Sequence, residues 1–253
     1  MPPSPTIELG DVFESNKGEL AIVTSYLNKR KVEVEFIGEN ICRKSFEAVD
    51  LRRGSFKNPM RPMLYGVGYF GFCENERSKE FSKIYGIWRM MLKRCYDESQ
   101  QKIQHTYIGC SVHSDWHCFQ SFYGWYVSQV GFNSSYQLDK DLLVRGIRVY
   151  SAENCCLLPT EKNMSIQSID DKDSGVHLRK GSEVYQANIG GKNGVKHLGT
   201  FKNKTDARNC YQKSLALKMK GFAKEYKGRV EEKVYFRLHE LAKEIEVAIE
   251  KGL

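Results

Sequence analysis

The reading of this 253-residue chain turns on "YQLDKDLLVRGIRVYSAENCCLLPTEKN", residues 136–163. Two carboxylates, Asp139 and Asp141, flank Lys140; the pair Asn154-Cys155 follows, and Asn163 closes the stretch. The pattern predicts one strand over YQLDKDLLV, a return strand over VYSAENC and a bend at Gly146. PTEKNMSIQS then opens a short helix or turn. One reading is a purely structural hairpin with both aspartates solvated; another is the strand, loop and helix of a metal-holding finger.

Upstream, KEFSKIYGIWRMMLKRCY (79–96) places Phe81, Ile84, Tyr85, Trp88, Met91 and Leu92 at three-and-four spacing, which predicts an amphipathic helix with a core-facing stripe. SDWHCFQSFYGWYVSQV (114–130) predicts a second helix opening at Ser114, with Trp116, Phe119, Phe122, Trp125 and Tyr126 inward. Gly66-Val67-Gly68-Tyr69-Phe70-Gly71 fits GxGxxG. Pro62 before it and a polar stretch after it deny the strand and helix that a dinucleotide fingerprint needs, so it reads as a turn packing aromatics. Over residues 7–53, the segments GELAIVTSYL, KVEVEFIG and ICRKSFEAV, separated by turn-rich SNKG, LNKR and GEN, predict a meander closing into a small Tudor-like β-barrel at residues 1–60.

Downstream, GVHLRK, VYQANIG and KHLGTF predict three short strands with turns at GS and GKNG, and a helix starting at Thr205-Asp206. Alternation puts Tyr185, Ala187 and Ile189 toward that helix and Val184, Gln186 and Asn188 on the other face. A polar, basic sheet can enter a major groove, where Arg and Lys suit guanine edges and Gln or Asn suits adenine. RVEEKVYFRLHELAKEIEVAIEKG predicts a last amphipathic helix over 229–253.

Charge singles out the same segment. The net +8 does not spread evenly: residues 1–60 balance nine basic against nine acidic side chains, and residues 61–172 thirteen against twelve. Residues 173–228 carry twelve basic against four acidic, and residues 229–253 five against six. One concentrated basic module in an otherwise neutral chain points to a polyanionic partner. No apolar run is long enough to span a membrane, and MPPSPTIELG lacks the features of a secretory signal, so a cytoplasmic protein with free thiols is expected. Cys110, His113, Cys118 and Cys155-Cys156 contain no CxxC pair, and adjacent cysteines on a strand point to opposite faces, so zinc is not expected.

Residues 86–164 resemble the HNH-type proteins of phage genomes, many of them homing-endonuclease relatives. The blocks GIWRMMLKRCY, YIGCSVHSDWHCFQSFYGWY, LDKD and YSAENCCLLPTEKN carry the resemblance. It implies a ββα finger that holds one hard cation, Mg2+, which keeps several waters and leaves room for a phosphate. Asp139 or Asp141 would be the strand carboxylate, Asn154 the residue bracing the loop, and Asn163 the helix-side ligand, with the metal between Asp139 and Asn163. Active members often place His beside the strand Asp. Here Lys140 stands there, and a protonated lysine is a poor base. His113 and His117 are upstream substitutes that nothing in the spacing demands.

Residues 173–228 resemble the APETALA2-type (ethylene-response-factor-like) DNA-binding domain, through Gly175-Val176, Tyr185-Gln186-Ala187-Asn188-Ile189, HLGTF (197–201), Ala207 and Tyr211. By that resemblance Arg179, Lys180, Gln186, Asn188, Lys192 and Lys196 fall on the DNA-facing sheet or its turns. The tryptophans of the plant domains are missing from these strands.

The expectation is an α+β protein with four parts: the barrel (1–60), an HNH-like domain (61–172), the APETALA2-like module (173–228) and a C-terminal helix (229–253). Its expected function is duplex DNA binding of the phage HNH homing-endonuclease type, in the host cytoplasm, with Mg2+-dependent nicking or cutting weak or lost. One alternative is a non-catalytic DNA-binding regulator on a degenerate nuclease scaffold. Another is a factor whose barrel docks on a host or phage protein while DNA tethers it.

Overall fold

Four N-terminal strands and a short helix form the first structured element of the protein, seen in a computed structural model that describes residues 6–72, 78–160, 174–191 and 194–252. The fold is α+β, and the chain divides into two units. One comprises residues 1–103 and 114–123, the other residues 104–113 and 124–253. No helix among the described residues is long and apolar enough to cross a membrane.

In the first unit, β1 (Val12–Glu14), β2 (Leu20–Asn28), β3 (Lys31–Phe36) and β4 (Arg43–Phe46) form an antiparallel meander in the order β1-β2-β3-β4. Contrary to the expected barrel, this sheet is open among the described residues: β1 and β4 are its edges and do not pair with each other. Closure is unnecessary because other residues cover the apolar face. α1 (Ala48–Arg53) supplies Ala48 and Leu51, and the following chain supplies Phe56; they bury Ala21, Val23, Val32, Val34 and Phe36. Phe36, Phe46 and Phe56 make mutual ring contacts with centroids 5.7–6.1 Å apart.

α2 (Lys79–Tyr96) forms as the apolar spacing requires, with the Ser78 hydroxyl accepting the Phe81 N–H at its start. Phe81, Ile84, Trp88, Met91 and Leu92 are buried, as expected of the stripe. The Trp88 ring meets Tyr85 and Phe119, and its indole N–H donates to the Trp116 carbonyl at 2.7 Å. The Gly66–Gly71 turn packs against this cluster: a Cβ on Gly68 would lie 2.5 Å from the Leu92 side chain. α3 (Glu98–Ile103) follows. Ser114 opens a short 3-10 turn to His117 rather than the long helix, and α4 (Phe119–Ser128) follows it. The first half of α4 belongs to the first unit and the rest to the second.

The second unit contains two small strand pairs, a three-stranded sheet and two long helices. β5 (Ser111–Val112) pairs in parallel with β7 (Val149–Tyr150), and β6 (Tyr136–Asp139) pairs antiparallel with β8 (Cys156–Pro159). β9 (Val176–Leu178), β10 (Tyr185–Gly191) and β11 (Gly194–Phe201) form an antiparallel sheet with β10 central. α5 (Lys204–Tyr226) is capped by Asn203, whose Oδ1 accepts the Asp206 N–H at 2.8 Å, and α6 (Glu232–Glu250) pairs with it. One apolar core joins these parts: Leu142, Cys156 and Leu158 from the β6–β8 region, Val176 and Ala187 from the sheet, and the inner faces of α5 and α6. The C-terminal helix is therefore integral to the core that also seats the sheet.

Candidate functional site

The expected hairpin forms with a different register. Only Tyr136–Asp139 of the first segment is strand, and its antiparallel partner is Cys156–Pro159 rather than VYSAENC. Asp139 ends the strand. Its Oδ1 accepts the N–H groups of Asp141 (3.0 Å) and Leu142 (2.8 Å), which turns the chain immediately after the strand. Val149 and Tyr150, expected in the return strand, instead pair in parallel with Ser111 and Val112.

Asp139 is only 5% exposed. Burial pushes its carboxyl pKa upward, the two backbone N–H bonds oppose that, and neighbouring Asp141 adds to it. Lys140, in the position beside the strand Asp, has a side chain only 11% exposed. Its ammonium pairs with Asp141, donates to the Ile147 carbonyl at 3.3 Å and lies 5.9 Å from the Tyr150 ring centroid. Asn154 donates from Nδ2 to the Val149 carbonyl at 3.2 Å, tying the loop across its neck. Asn163 lies outside the described residues.

Two cations from α6 clamp this loop. Lys233 donates to the carbonyls of Ala152 (3.1 Å) and Cys155 (3.2 Å), and Arg237, one turn on, donates from Nε to the Leu142 carbonyl at 3.1 Å. Arg237 is fixed in turn by Glu244 at 2.6 Å. Of the two upstream histidines, His113 donates its backbone N–H to the Tyr150 carbonyl (2.9 Å). The Glu153 carboxyl is held below its usual range, first by its own backbone N–H, then by the Ser151 hydroxyl, with His113 and Lys233 adding to the effect. His117 belongs to the first unit, where its Nε2 meets the Tyr96 hydroxyl at 3.2 Å. Cys155 and Cys156 are fully buried. Burial pushes the Cys155 thiol to about 12 and Cys156 well above its ordinary value, which makes both inert core residues at neutral pH.

Of the expected Mg2+ site only the strand side lies among the described residues. Asp139 spends an oxygen on the turn, Asp141 is paired with Lys140, and no group of three or more His, Cys, Asp or Glu side chains is gathered for a metal among the described residues. What the described loop does is fix its own shape.

The three-stranded sheet is arranged differently. Cross-strand partners share a face. Ala187 is fully buried, and Tyr185, Ile189, Leu198 and Phe201 pack on the core with α5. Gly175 has a left-handed backbone (φ +71°) and sits so close to the Tyr211 ring that a Cβ would lie 2.3 Å from it, so glycine is required there. The opposite face carries Gln186, flanked by its partners His177 on β9 and Thr200 on β11. Asn188 stands opposite His197 after a register shift between Ala187 and Asn188. Arg179 donates its backbone N–H to the Val184 carbonyl, which continues the same face, and Lys180 is exposed in the turn that follows.

The structure therefore brings Arg179, Gln186 and Asn188 together on the exposed face, with Lys180 at its end. Lys196 pairs with Ile189, whose face is the α5 side, so the register separates it from Gln186 and Asn188. Lys192 lies outside the described residues. His177, His197 and Thr200 join the exposed face, although they were not among the residues expected to face DNA. Their signal is alternation, but using it requires the cross-strand register and the shift.

Compared with known proteins, the chain matches no family model, no curated protein and no solved structure.

Proposed function

We propose that the protein binds duplex DNA through the exposed face of the β9–β11 sheet. In this reading the loop between β6 and β8 is the scaffold of an HNH homing-endonuclease-type site whose Mg2+-dependent cutting is weak or lost. The observation that carries the proposal is the makeup of one sheet face within the segment of excess positive charge. The β9–β11 sheet is backed on one face by α5, which carries much of that charge, and presents Arg179, Gln186, Asn188, His177 and His197 on the other. A sheet face of this kind can enter a major groove, where phosphate contacts position the protein and side-chain amides and cations meet base edges.

A second reading, DNA binding with no cutting at all, is favoured by the loop. Its strand carboxylate holds a turn, and the residue in the place of the base is an engaged lysine. One experiment separates the readings. The protein is incubated with supercoiled plasmid and Mg2+ or Mn2+, beside an Asn163→Ala variant and an EDTA control. Nicking abolished in both controls establishes a working nuclease. DNA retarded on a gel but not nicked establishes the non-catalytic binder. DNA neither retarded nor nicked refutes the proposal.

A further inference from the structure

Two amides stand on the exposed face of the β9–β11 sheet, and their surroundings differ. Gln186 makes no side-chain hydrogen bond among the described residues. Asn188 is held: its Oδ1 lies 2.9 Å from His197 Nδ1, and His197 Nε2 lies 3.4 Å from Thr200 Oγ1. With Asn188 Oδ1 facing it, the His197 tautomer that fits is the one protonated on Nδ1, which donates to that oxygen. In neutral His197 this leaves Nε2 as the acceptor for the Thr200 hydroxyl. Donors therefore run in one direction, Thr200 to His197 to Asn188. The Asn188 carbonyl is turned along the sheet toward His197, and its NH2 group remains available.

We propose that Asn188 is a specificity-determining residue of the DNA interface, and that His197 is the positioning residue that presents it to the bases as a hydrogen-bond donor. It thereby selects a base with acceptors in the major groove, guanine above all. The inference rests on the DNA-binding reading. An asparagine that reads adenine uses both ends of its amide, accepting from N6 and donating to N7, whereas guanine offers O6 and N7, both acceptors. An amide whose oxygen is turned along the sheet to His197, leaving its NH2 group to meet the bases, suits the second pattern. Its side chain is also ordered before binding, so less rotamer freedom is lost on contact than for Gln186. Arg179, on the same face, is likewise a donor only.

The test uses the full-length protein to select duplexes from a randomised library at neutral pH. Binding to the selected site is then measured with single guanines replaced by deazaguanine, which lacks the N7 acceptor. Wild type is expected to retain a guanine at one position and to lose about tenfold in affinity on its replacement. His197→Phe is expected to admit adenine there, narrowing the preference for guanine from about tenfold to about twofold. His197→Gln keeps a donor toward Asn188 and is expected to restore the preference, and Asn188→Ala to erase it at that position alone. Melting curves confirm that each variant is folded. An unchanged base preference in His197→Phe, or no position sensitive to deazaguanine, overturns the inference while retained duplex binding preserves the DNA-binding reading. A wild-type protein that retains no duplex refutes both.

Discussion

The loop between β6 and β8 and the exposed face of the β9–β11 sheet are built from similar side chains and use them in opposite ways. In the loop, Asp139 caps a turn, Lys140 is paired, Asn154 braces the neck, and Lys233 and Arg237 close it from α6. Its polar groups are spent on the fold. On the sheet, Arg179 and Gln186 make no side-chain hydrogen bonds among the described residues, and the one network, Thr200–His197–Asn188, lies on the exposed surface. Both regions rest on one apolar core, so the difference is not one of stability between domains. A polar residue that maintains shape is buried and saturated, whereas one available to a partner is exposed and under-committed.

The largest expected effect tests the buried side of that comparison. Asp139→Ala leaves two backbone N–H groups without their acceptor, one of them on fully buried Leu142, and should cost roughly 2–4 kcal/mol of stability. Chemical denaturation measures it, and a loss near zero would deny Asp139 its role in the turn. Asp139→Asn keeps the acceptor and removes the charge. Because burial raises the wild-type carboxyl pKa, the folded state binds that proton more tightly than the unfolded chain. This contribution is fully present below the ordinary carboxylate range and is lost as pH rises through the raised folded pKa. Melting temperatures of Asp139→Asn relative to wild type should therefore improve from acid to neutral pH. A constant difference would contradict the burial effect.

Next in size is the clamp. Lys233→Met with Arg237→Met removes three donors to loop carbonyls, with an expected cost of about 1–3 kcal/mol and faster amide exchange across residues 140–155. Exchange across β9–β11 should stay as in wild type. Equal acceleration in both regions would mean that the loop and the sheet do not differ in what holds them.

On the exposed side, Arg179→Ala with Lys180→Ala should leave stability within about 0.5 kcal/mol of wild type. If both residues contact phosphates, the variant should weaken DNA binding and flatten its salt dependence by about two slope units. Lys196→Ala should have a smaller effect on the slope than either of those residues, since its register places it on the α5 face. A larger effect would move the interface to that side. The smallest expected change is in Gln186→Ala: unaltered stability, with relaxed preference at one base position in the selected site.

Much of the architecture was legible in the chain itself. The apolar spacing of 79–96 predicts a helix that forms over those residues, with its stripe buried except for half-buried Tyr85, because a dense run of large side chains at helical spacing has few other ways to leave water. The three strands of 175–201 and the inward set Tyr185, Ala187 and Ile189 were readable from alternation and turn residues. The barrel and the hairpin register were not. Whether an alternating meander closes depends on what covers its open face, here Ala48, Leu51 and Phe56. The first strand of 136–159 ends at a side-chain-to-backbone bond at Asp139 that strand propensity does not encode.

The sequence by itself determined the α+β composition, the helical stripes, the location of the excess positive charge and the face of β10 that turns from solvent. Each follows from local periodicity or from counting charges. Only the tertiary structure decided that Asp139 is buried in a turn, that α6 clamps the loop, that Lys196 parts from Gln186 and Asn188, and that His197 holds Asn188. Those facts depend on which residues meet across strands and helices, and non-local pairing is set by how the whole core packs.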